Sequence, residues 1–523
     1  MNSTGFQGEV VPPLGLEHVF SWLTLASTHL QAAFTSIPGS AIIVRYVKNS
    51  HQNDPWRTLL ELCLFAFAVR TVLSSRTRTD RSPKNFVELT DKEIDELVVD
   101  WTPEPLVVEQ PPTSPDANLL GTLPVILGSV GPRVKLASNP NKSVINMTSY
   151  NFTGMAENEK MKETALTTLR DYGVGSCGPP GFWGTNDVHT ALEQDLAAFL
   201  QLPSAIIYAQ AFTCITSVIP SFAKRGDIIV ADRACNFAIQ RGLQISRSTI
   251  RFYEHGDMSS LEQVLESVTR EAARKKSKLT RRFIVTEGLF ENDGFISDLE
   301  KLVELKNKYK FRLILDESYS FGTLGDTGRG LTELCGVPAK EVDMLIGSMA
   351  NTLGAGGGFC AGSTVVTGHQ RINSAAFVFS ASLPPMIATT ASTAIRILQS
   401  SPQLFVTLRQ HGKLLRLTLD KLEGIHIPSH ALSPLVHVQL SGPAPVDMAG
   451  IEREEIILQE IVEEALNASG ILLTRTRRLR GQETFEARPS IKIALSSSLT
   501  KKDMDKAVGG IKAAIVKVLG KKR

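Results

Sequence analysis

The sequence has few cysteines, and none of them is arranged as a pair. They are Cys63, Cys177, Cys214, Cys235, Cys335 and Cys360, with no C-x-x-C spacing. This distribution argues against a disulfide framework and offers no zinc-ligand pattern. The chain is therefore expected to be a reduced, intracellular protein without a metal site.

A strong net charge is also lacking. The formal charge is +3 and the pI about 8.4, which is too mild for a nucleic-acid-binding protein. The first ten residues, MNSTGFQGEV, have no basic stretch and include Glu9, which argues against a cleaved secretory signal. With 523 residues, 42% of them hydrophobic, the chain can form two or three folding units, or one large α/β body with a terminal attachment.

Long apolar runs are scarce in the first hundred residues, with one exception. WRTLLELCLFAFAVRTVL, from Trp56 to Leu73, has about the length that a bilayer core requires and predicts a membrane-spanning helix over 56–73. Because Glu61 and Arg70 lie inside the run, a buried amphipathic helix is the alternative.

The flanks of this run support a membrane-associated N-terminus. Within residues 1–55, apolar residues at helical spacing between Leu16 and Ile37 predict a helix that lies on a membrane surface or packs on protein. Four basic residues between Arg76 and Lys84 slightly exceed the basic residues before the run, which places the following body in the cytosol.

Beyond the run, the sequence predicts a linker and then a folded α/β body. Residues 74–148 form the linker and an N-terminal arm, including a proline-rich tether at 102–117. From Ser149, short β-branched runs alternate with helical stretches, which is typical of a mostly parallel sheet with flanking helices. Strands are predicted at 205–209, 227–232, 250–255, 283–288, 311–316 and 344–349, and helices near 213–223, 236–246, 258–266 and 299–309. Ligands of such sheets bind where the strands end.

Four segments near these strand ends carry a family resemblance. They are YGVGSCGPPGFWGTNDVHTALEQDLAAFL (172–200), VTEGLFENDG (285–294), LDESYSFGTLGDTGRG (315–330) and FSASLPP (379–385). The chain resembles the α-oxoamine synthases, which are pyridoxal-phosphate enzymes. Within that family it is most similar to the non-catalytic, first long-chain-base subunits of eukaryotic serine palmitoyltransferases.

The resemblance implies a fold-type-I pyridoxal-phosphate-dependent body with a large domain over 149–398 and a smaller α+β domain over 399–523. It implies a complex that condenses L-serine with palmitoyl-coenzyme A to 3-ketosphinganine, carbon dioxide and coenzyme A. This is the first step of sphingolipid synthesis, expected at the endoplasmic reticulum membrane, with the body facing the cytosol and in contact with membrane lipid.

One departure from the family pattern decides the expected role of the chain. Pyridoxal phosphate is held as an imine by a lysine, and the segment that carries this lysine in related enzymes is GSMANTLGAGG here, with Asn351 at the lysine position. No lysine occurs from Asp343 to Gly358. The resemblance therefore implies no catalytic residue in this chain and a cofactor held covalently by a lysine-bearing second long-chain-base subunit.

Other cofactor and substrate positions also differ from the family pattern. Asn236 and Tyr319 align with histidines of active relatives, and Ser490 aligns with an arginine that binds the substrate carboxylate, although Lys492 lies close by. Asp316 keeps its family identity. It is either a vestigial cofactor contact or a turn cap.

Two segments are implied to act on the active site of the partner. Ser380 and Ser382 are expected to approach the phosphate of the partner's pyridoxal phosphate, or to serve as turn hydroxyls. The resemblance implies that Cys177 and Trp183 shape the partner's active site, although from the sequence itself a buried structural cysteine is the default interpretation of Cys177.

Two other functions remain open at this point. One is a self-sufficient α-oxoamine synthase in which another lysine forms the imine. The other is a membrane scaffold or regulator that keeps the fold but contributes to no active site.

Overall fold

The computed structural model describes residues 28–29, 32, 35–36, 38–74, 89–101, 123–274, 280–479 and 481–520. The chain divides into two compact units, Met1–Val108 and Glu109–Arg523. Three predicted features lie outside the described residues. They are the basic cluster at 76–84, the tether at 102–117 and the apolar stripe of Leu16, Phe20, Leu23, Leu30, Phe34 and Ile37.

The first unit contains three described helices, α1 (Ser40–Asn53), α2 (Pro55–Ser74) and α3 (Asp91–Asp100). The apolar run predicted to span a membrane forms α2. Across the described residues, however, no helix combines the length and apolar character needed to cross a bilayer. The physical reason lies in Arg57, Glu61 and Arg70, which put three charged residues into a helix of 20 residues. The membrane-spanning prediction is therefore not confirmed.

The second unit is built on a seven-stranded sheet with two four-stranded sheets beside it. Its strands are β1 (Ile126–Leu127), β2 (Arg133–Leu136), β3 (Asn139–Asn146), β4 (Ser204–Tyr208), β5 (Ile228–Asp232), β6 (Thr249–Tyr253), β7 (Arg282–Glu287), β8 (Arg312–Asp316), β9 (Met344–Ser348), β10 (Gly358–Gly362), β11 (Ile425–His426), β12 (Leu435–Leu440), β13 (Ile471–Leu472), β14 (Thr474–Arg475) and β15 (Ile491–Ala494).

Helices cover the sheets and connect the strands. They are α4 (Glu159–Tyr172), α5 (Asp187–Leu200), α6 (Ala211–Phe222), α7 (Phe237–Ser246), α8 (Met258–Arg274), α9 (Leu299–Tyr309), α10 (Leu331–Leu334), α11 (Thr364–Asn373), α12 (Ala375–Phe379), α13 (Pro385–Ser400), α14 (Gln403–Leu419), α15 (Met448–Glu464) and α16 (Lys501–Gly520).

The large sheet has the order β4-β10-β9-β8-β7-β5-β6. Strand β10 runs antiparallel to β4 and β9, and the other pairs are parallel. On β8, Leu313 and Leu315 join one buried apolar cluster and Ile314 joins another, so the sheet is covered on both faces. The predicted, mostly parallel α/β sheet is confirmed. Strand β10 was not predicted.

The smaller sheets combine distant parts of the chain. One has the order β11-β12-β15-β14, and the other joins β1, β2 and β3 to β13. In the latter, Ile145 of β3 lies opposite Ile471 of β13 in parallel register, so residues 126–146 of the N-terminal arm are part of a sheet. A third apolar cluster, including Phe152, Leu415 and Ile493, fills the space around this region.

Candidate functional site

Two buried carboxylates lie at neighbouring strand ends of the large sheet. Glu287 ends β7 and Asp316 ends β8, and the two residues are paired in the parallel register of these strands. Both are almost fully buried. The carboxyl edge of the sheet therefore holds two acidic groups side by side, at the place where ligands of such sheets bind.

Asn236 connects these two carboxylates. Its side-chain amide donates a hydrogen bond to Asp316 Oδ2 at 2.8 Å, and its backbone N–H donates to Glu287 Oε1 at 2.6 Å. Its side-chain oxygen accepts from the backbone N–H of Ile239, which caps the start of α7. Asn236 is thus fixed by three hydrogen bonds.

Asp316 Oδ1 is occupied as well. It accepts from the backbone N–H of Ser318 at 2.9 Å and from the Ser318 hydroxyl at 2.5 Å, so Asp316 caps a turn. Burial raises the pKa of Asp316, although the hydrogen bonds from Ser318 and Asn236 lower it in part. Burial and the Asp316 charge raise the pKa of Glu287 well above its usual range.

Asn351 lies beyond β9, next to the same strand ends. Its side-chain amide donates to the carbonyl oxygen of Ser318 at 2.9 Å. A cavity of about 310 Å³ opens here. Its lining is Ala211, Phe212, Ile215, Asn236, Phe237, Ala238, Glu291, Ser318, Tyr319, Ser348, Ala350 and Asn351. We call it the strand-end cavity. The structure brings Asn236, Tyr319 and Asn351 together there, and none of the lysines that the structure describes lines the cavity.

The wall of the strand-end cavity near the smaller domain is a polar cluster that the sequence did not predict. Glu291 accepts hydrogen bonds from the Tyr150 hydroxyl at 3.3 Å and from Lys492 Nζ at 3.4 Å, and Lys492 also bonds to the Tyr150 hydroxyl. The Tyr150 ring packs edge-on against Tyr319. Lys492 is thus engaged with a carboxylate of the chain itself.

Ser490, which the resemblance aligns with a carboxylate-binding arginine of active relatives, is buried in the smaller domain. Its hydroxyl lies 2.9 Å from Nδ1 of His437. Burial and the nearby Lys492 charge lower the pKa of His437 to about 3, so this imidazole is neutral. Ser490 and His437 therefore form a neutral pair.

Two further segments lie in contact. We call residues 176–185 the exposed loop and residues 380–383 its support. The backbone N–H of Ser382 donates to the Gly178 carbonyl at 3.0 Å, and the Ser176 hydroxyl donates to the Ser382 carbonyl at 2.9 Å. His189 Nε2 lies 2.6 Å from the Leu383 carbonyl oxygen. The structure therefore brings together the two segments predicted to act on a partner.

The exposed loop has an unusual backbone. Cys177 and Trp183 have φ values of +59° and +65°, a left-handed conformation that residues other than glycine rarely adopt. The Trp183 side chain is 99% exposed. Cys177 is exposed too, so the alternative of a buried structural cysteine is wrong. A Cβ atom at Gly184 would lie 1.9 Å from the Gly178 carbonyl oxygen, which requires glycine at this position.

A second cavity, of about 290 Å³, lies beside this loop. Ser380, Ser382, His189 and Arg371 contribute to its lining, with Tyr208 and Ala209 from the end of β4. In the part of the chain that the structure describes, the buried Ser382 hydroxyl oxygen has no hydrogen-bond partner. Tyr208 and Ala209 line this cavity, whereas Ala211 and Phe212, at the start of α6, line the strand-end cavity.

Comparisons with known proteins assign this arrangement to a family. Residues 142–511 match the family model for aminotransferase class I and II. Serine palmitoyltransferase 1 of Saccharomyces cerevisiae is 36% identical over 524 residues, covering 93% of this chain and 94% of the relative. Long chain base biosynthesis protein 1c of Oryza sativa subsp. japonica is 39% identical, covering 82% and 86%.

The chain belongs to the family of serine palmitoyltransferase 1 and long chain base biosynthesis protein 1. This family resemblance, predicted from the four motifs, is confirmed. Its members belong to a pyridoxal-phosphate-dependent class of acyltransferases.

Solved structures agree on the fold of this family. A serine palmitoyltransferase from S. paucimobilis with a bound PLP–myriocin aldimine has a TM-score of 0.68 at 21% identity, covering 82% of this chain and 99% of that chain. A Sphingomonas wittichii serine palmitoyltransferase has a TM-score of 0.67 at 23% identity, covering 77% and 95%. At these identities the likeness concerns the fold alone.

The strand-end cavity of this family member does not fit a covalently held pyridoxal phosphate. Asn351 offers an amide instead of an amine, and an amide nitrogen cannot form an imine. Asp316 Oδ2 already accepts a hydrogen bond from the side chain of Asn236, which lines the cavity. Among the described residues, no group of His, Cys, Asp and Glu is arranged to hold a metal ion.

Proposed function

We propose that this chain is the non-catalytic subunit of a heteromeric serine palmitoyltransferase whose lysine-bearing partner holds the cofactor. The observation that carries the proposal is the amide of Asn351 where an amine is needed, hydrogen-bonded to the Ser318 carbonyl. The second subunit is suggested by the numbered names of the relatives.

In the proposed reaction, the serine α-carbon forms a bond to the acyl carbonyl carbon of palmitoyl-coenzyme A. The thioester C–S bond breaks to release coenzyme A, and the serine carboxylate leaves as carbon dioxide, which gives 3-ketosphinganine. Pyridoxal phosphate bound by the partner supplies the electron sink for this chemistry. This chain supplies surface and hydroxyl groups.

The contribution of this chain to the partner site comes from the exposed loop and its support. Trp183, Phe182 and Phe379 are exposed apolar side chains, the kind of surface that proteins use for association. Ser380 and Ser382 line the adjacent cavity. We expect their hydroxyls to donate to the phosphate of the partner's cofactor. Cys177 and Trp183 then border the partner's serine or acyl pocket.

We further propose that the complex works at the endoplasmic reticulum membrane with its body in the cytosol. Apolar side chains along α2, including Leu60, Phe65 and Phe67, are exposed and suit contact with lipid or with a neighbouring helix. A membrane location also suits the reaction, because the long acyl chain and the product both partition into lipid.

The test is expression of this chain alone, of a lysine-bearing relative alone and of the two together. We expect cofactor absorbance and serine-dependent release of coenzyme A only in preparations that contain the partner, with full turnover only in the pair. Turnover or a lysine-bound imine in this chain alone would contradict the proposal and favour a self-sufficient synthase.

A scaffold that contributes to no active site is the competing function. It predicts that substitution of Cys177, Ser380 or Ser382 leaves the turnover of the assembled pair unchanged. The proposed function predicts a loss of turnover per assembled pair, so a size-exclusion measurement of assembly beside the activity assay separates the two.

A further inference from the structure

We propose that Asn236, and not Asn351 alone, prevents this chain from binding pyridoxal phosphate: the Asn236 amide occupies the carboxylate oxygen that a protonated pyridine nitrogen would need. Enzymes of this class hold the cofactor by a lysine imine and by an acidic partner of the pyridinium nitrogen. The inference concerns the strand-end cavity of this chain and does not depend on any partner.

The hydrogen bonds of Asp316 leave little capacity for a pyridinium group. Oδ1 accepts both the backbone N–H and the hydroxyl of Ser318. Oδ2 accepts the Asn236 amide at 2.8 Å. Asp316 is only 2% exposed and is not among the residues that line the strand-end cavity, whereas Asn236 lines it. A donor that enters from the cavity would therefore have to displace the Asn236 side chain to reach Oδ2.

Asn236 cannot move aside without further losses. It is 5% exposed, its side-chain oxygen caps α7 through Ile239, and its backbone N–H donates to Glu287. Rotation of the side chain would leave the Ile239 N–H and Asp316 Oδ2 without these partners inside the protein. A buried polar group that loses its partner destabilises the fold by about 1–3 kcal/mol.

The charges of the cavity fit a site without a cation. In the described chain, neither Glu287 nor Asp316 forms an ion pair with a lysine or arginine, and burial raises the pKa of both carboxyls. Hydrogen bonds from Asn236 and Ser318, instead of a cation, hold these two carboxyls in place.

The barrier is chemical and not a lack of room. The strand-end cavity retains about 310 Å³, within the range of small-molecule sites. Restoring the amine at position 351 alone should therefore fail to restore the cofactor, because the Asp316 acceptor stays occupied.

Four forms of the full-length chain, purified without a partner, test this inference: wild type, Asn351→Lys, Asn236→Ser and the double variant. Serine at position 236 keeps a helix-capping oxygen but removes the amide that reaches Asp316. Each form is incubated with pyridoxal 5′-phosphate, reduced with borohydride and digested, and the label on the peptide that contains position 351 is quantified by mass spectrometry. Circular dichroism and thermal unfolding establish that each form is folded.

We expect the label at position 351 in the double variant. The amount of label in Asn351→Lys should be at least about tenfold lower, because one hydrogen bond to a charged group corresponds to about this factor. Equal labelling of the single and double variants would overturn the inference. Absence of the label from a folded double variant would overturn it too.

A second measurement needs no lysine and no double variant. Pyridoxamine 5′-phosphate has the pyridine nitrogen and the phosphate but forms no imine with the protein, so its binding reports on the Asp316 contact directly. We expect Asn236→Ser to bind it at least about tenfold more tightly than wild type in calorimetry. The control is Asn158→Ser, which changes the capping asparagine of α4 away from the cavity. Equal affinity of Asn236→Ser and wild type would contradict the inference.

Discussion

The strand-end cavity and the exposed loop differ in how their polar and apolar groups find partners. Around the strand-end cavity, Asp316, Asn236 and Asn351 form hydrogen bonds with residues of the chain itself. On the exposed loop, Trp183 is open to solvent, and Cys177 and Trp183 hold a left-handed backbone. The first region is complete within one chain, whereas the second has the features of a surface that a partner covers.

This difference separates two fates of a former active site. Residues around the strand-end cavity bind one another, so substitutions there should act on the fold of this chain. Residues of the exposed loop bind little in this chain, so substitutions there should act on the pair. Five predictions test the separation, in order of decreasing effect.

The largest effect concerns the stability of the fold at His255, which follows β6 at the carboxyl edge of the large sheet. His255 lies between Asp232 and Asp293, 2.9 Å from each, and although burial lowers its pKa, the two carboxylates raise that pKa to about 10. Because folding raises the pKa of His255, its protonated form stabilises the fold. This stabilisation is fully present below pH 6.5 and is lost as the pH rises through about 10. Over this pH range we expect the free energy of unfolding of wild type to fall by up to about 4 kcal/mol more than that of His255→Gln, because of the pKa shift of His255.

Urea unfolding at a series of pH values from 6 to 10 measures this loss of stability. The matched control is His426→Gln, at an exposed histidine on β11, which should keep the wild-type pH dependence. Identical pH profiles for wild type and His255→Gln would contradict the prediction.

The next effect concerns the backbone of the exposed loop. Gly184→Ala places a Cβ atom 1.9 Å from the Gly178 carbonyl oxygen, an overlap with backbone that no side-chain rotation relieves. We expect coenzyme A release by the pair to fall about 100-fold, the scale of an active-site element that is displaced by about 1 Å. Gly181→Ala, in the same loop but with nothing within 4 Å of its Cβ, should keep activity within about twofold. Equal losses in both variants would break the comparison.

A smaller effect is expected at Trp183. Since its side chain is exposed in the single chain, Trp183→Ala should leave the unfolding temperature of this chain unchanged. We expect it to weaken assembly with the partner about 30-fold, which is typical of a tryptophan hot spot worth about 2 kcal/mol. Analytical ultracentrifugation over a dilution series measures the affinity, with Val446→Ala at another exposed apolar position as the control. If Trp183→Ala and wild type bind the partner with equal affinity, Trp183 is not part of the surface that contacts the partner.

The hydroxyl groups of the support give the fourth effect. Ser382→Ala and Ser380→Ala each remove one donor that we propose for the partner's cofactor phosphate. We expect the affinity of the pair for pyridoxal phosphate to fall about tenfold for each, the value of one hydrogen bond to a charged group. Ser259→Ala, an exposed serine near the start of α8, is the control. If cofactor titrations of all three variants match wild type, the phosphate contact does not exist.

The smallest effect is expected at Asp316, which lies behind the cavity-lining Asn236. Asp316→Asn changes a buried group that is satisfied within the chain, and the role proposed for this subunit gives that group no contact with the substrates. We expect turnover per assembled pair to stay within about twofold of wild type, as for a site independent of the chemistry. A large loss of turnover in a fully assembled Asp316→Asn pair would mean that this cavity takes part in the reaction.

Sequence patterns predicted most of the large sheet but not its neighbours. The strands from β4 to β9 follow from β-branched runs between turns, and α9 was predicted with its observed ends, Leu299 and Tyr309. Strand β10 was missed because GFCAG has two glycines and no β-branched residue. The pairing of β3 with β13 was missed because it joins positions such as Ile145 and Ile471, whose contact no local pattern encodes.

At the candidate site, residue types were predictable and their hydrogen bonds were not. The positions of Asn236, Asp316 and Asn351 follow from family motifs at strand ends. The Asn236–Asp316 hydrogen bond does not, because it depends on how an amide packs between residues 80 positions apart. For the same reason the contact between Lys492 and Glu291 required the structure.

We propose that this chain holds no cofactor of its own and completes the site of a partner. Borohydride reduction of the active pair, followed by mass spectrometry of both chains, shows which chain binds the cofactor. We expect one reduced cofactor per pair, bound wholly to a lysine of the partner. A cofactor label on any lysine of this chain, or two labels per active pair, would contradict it.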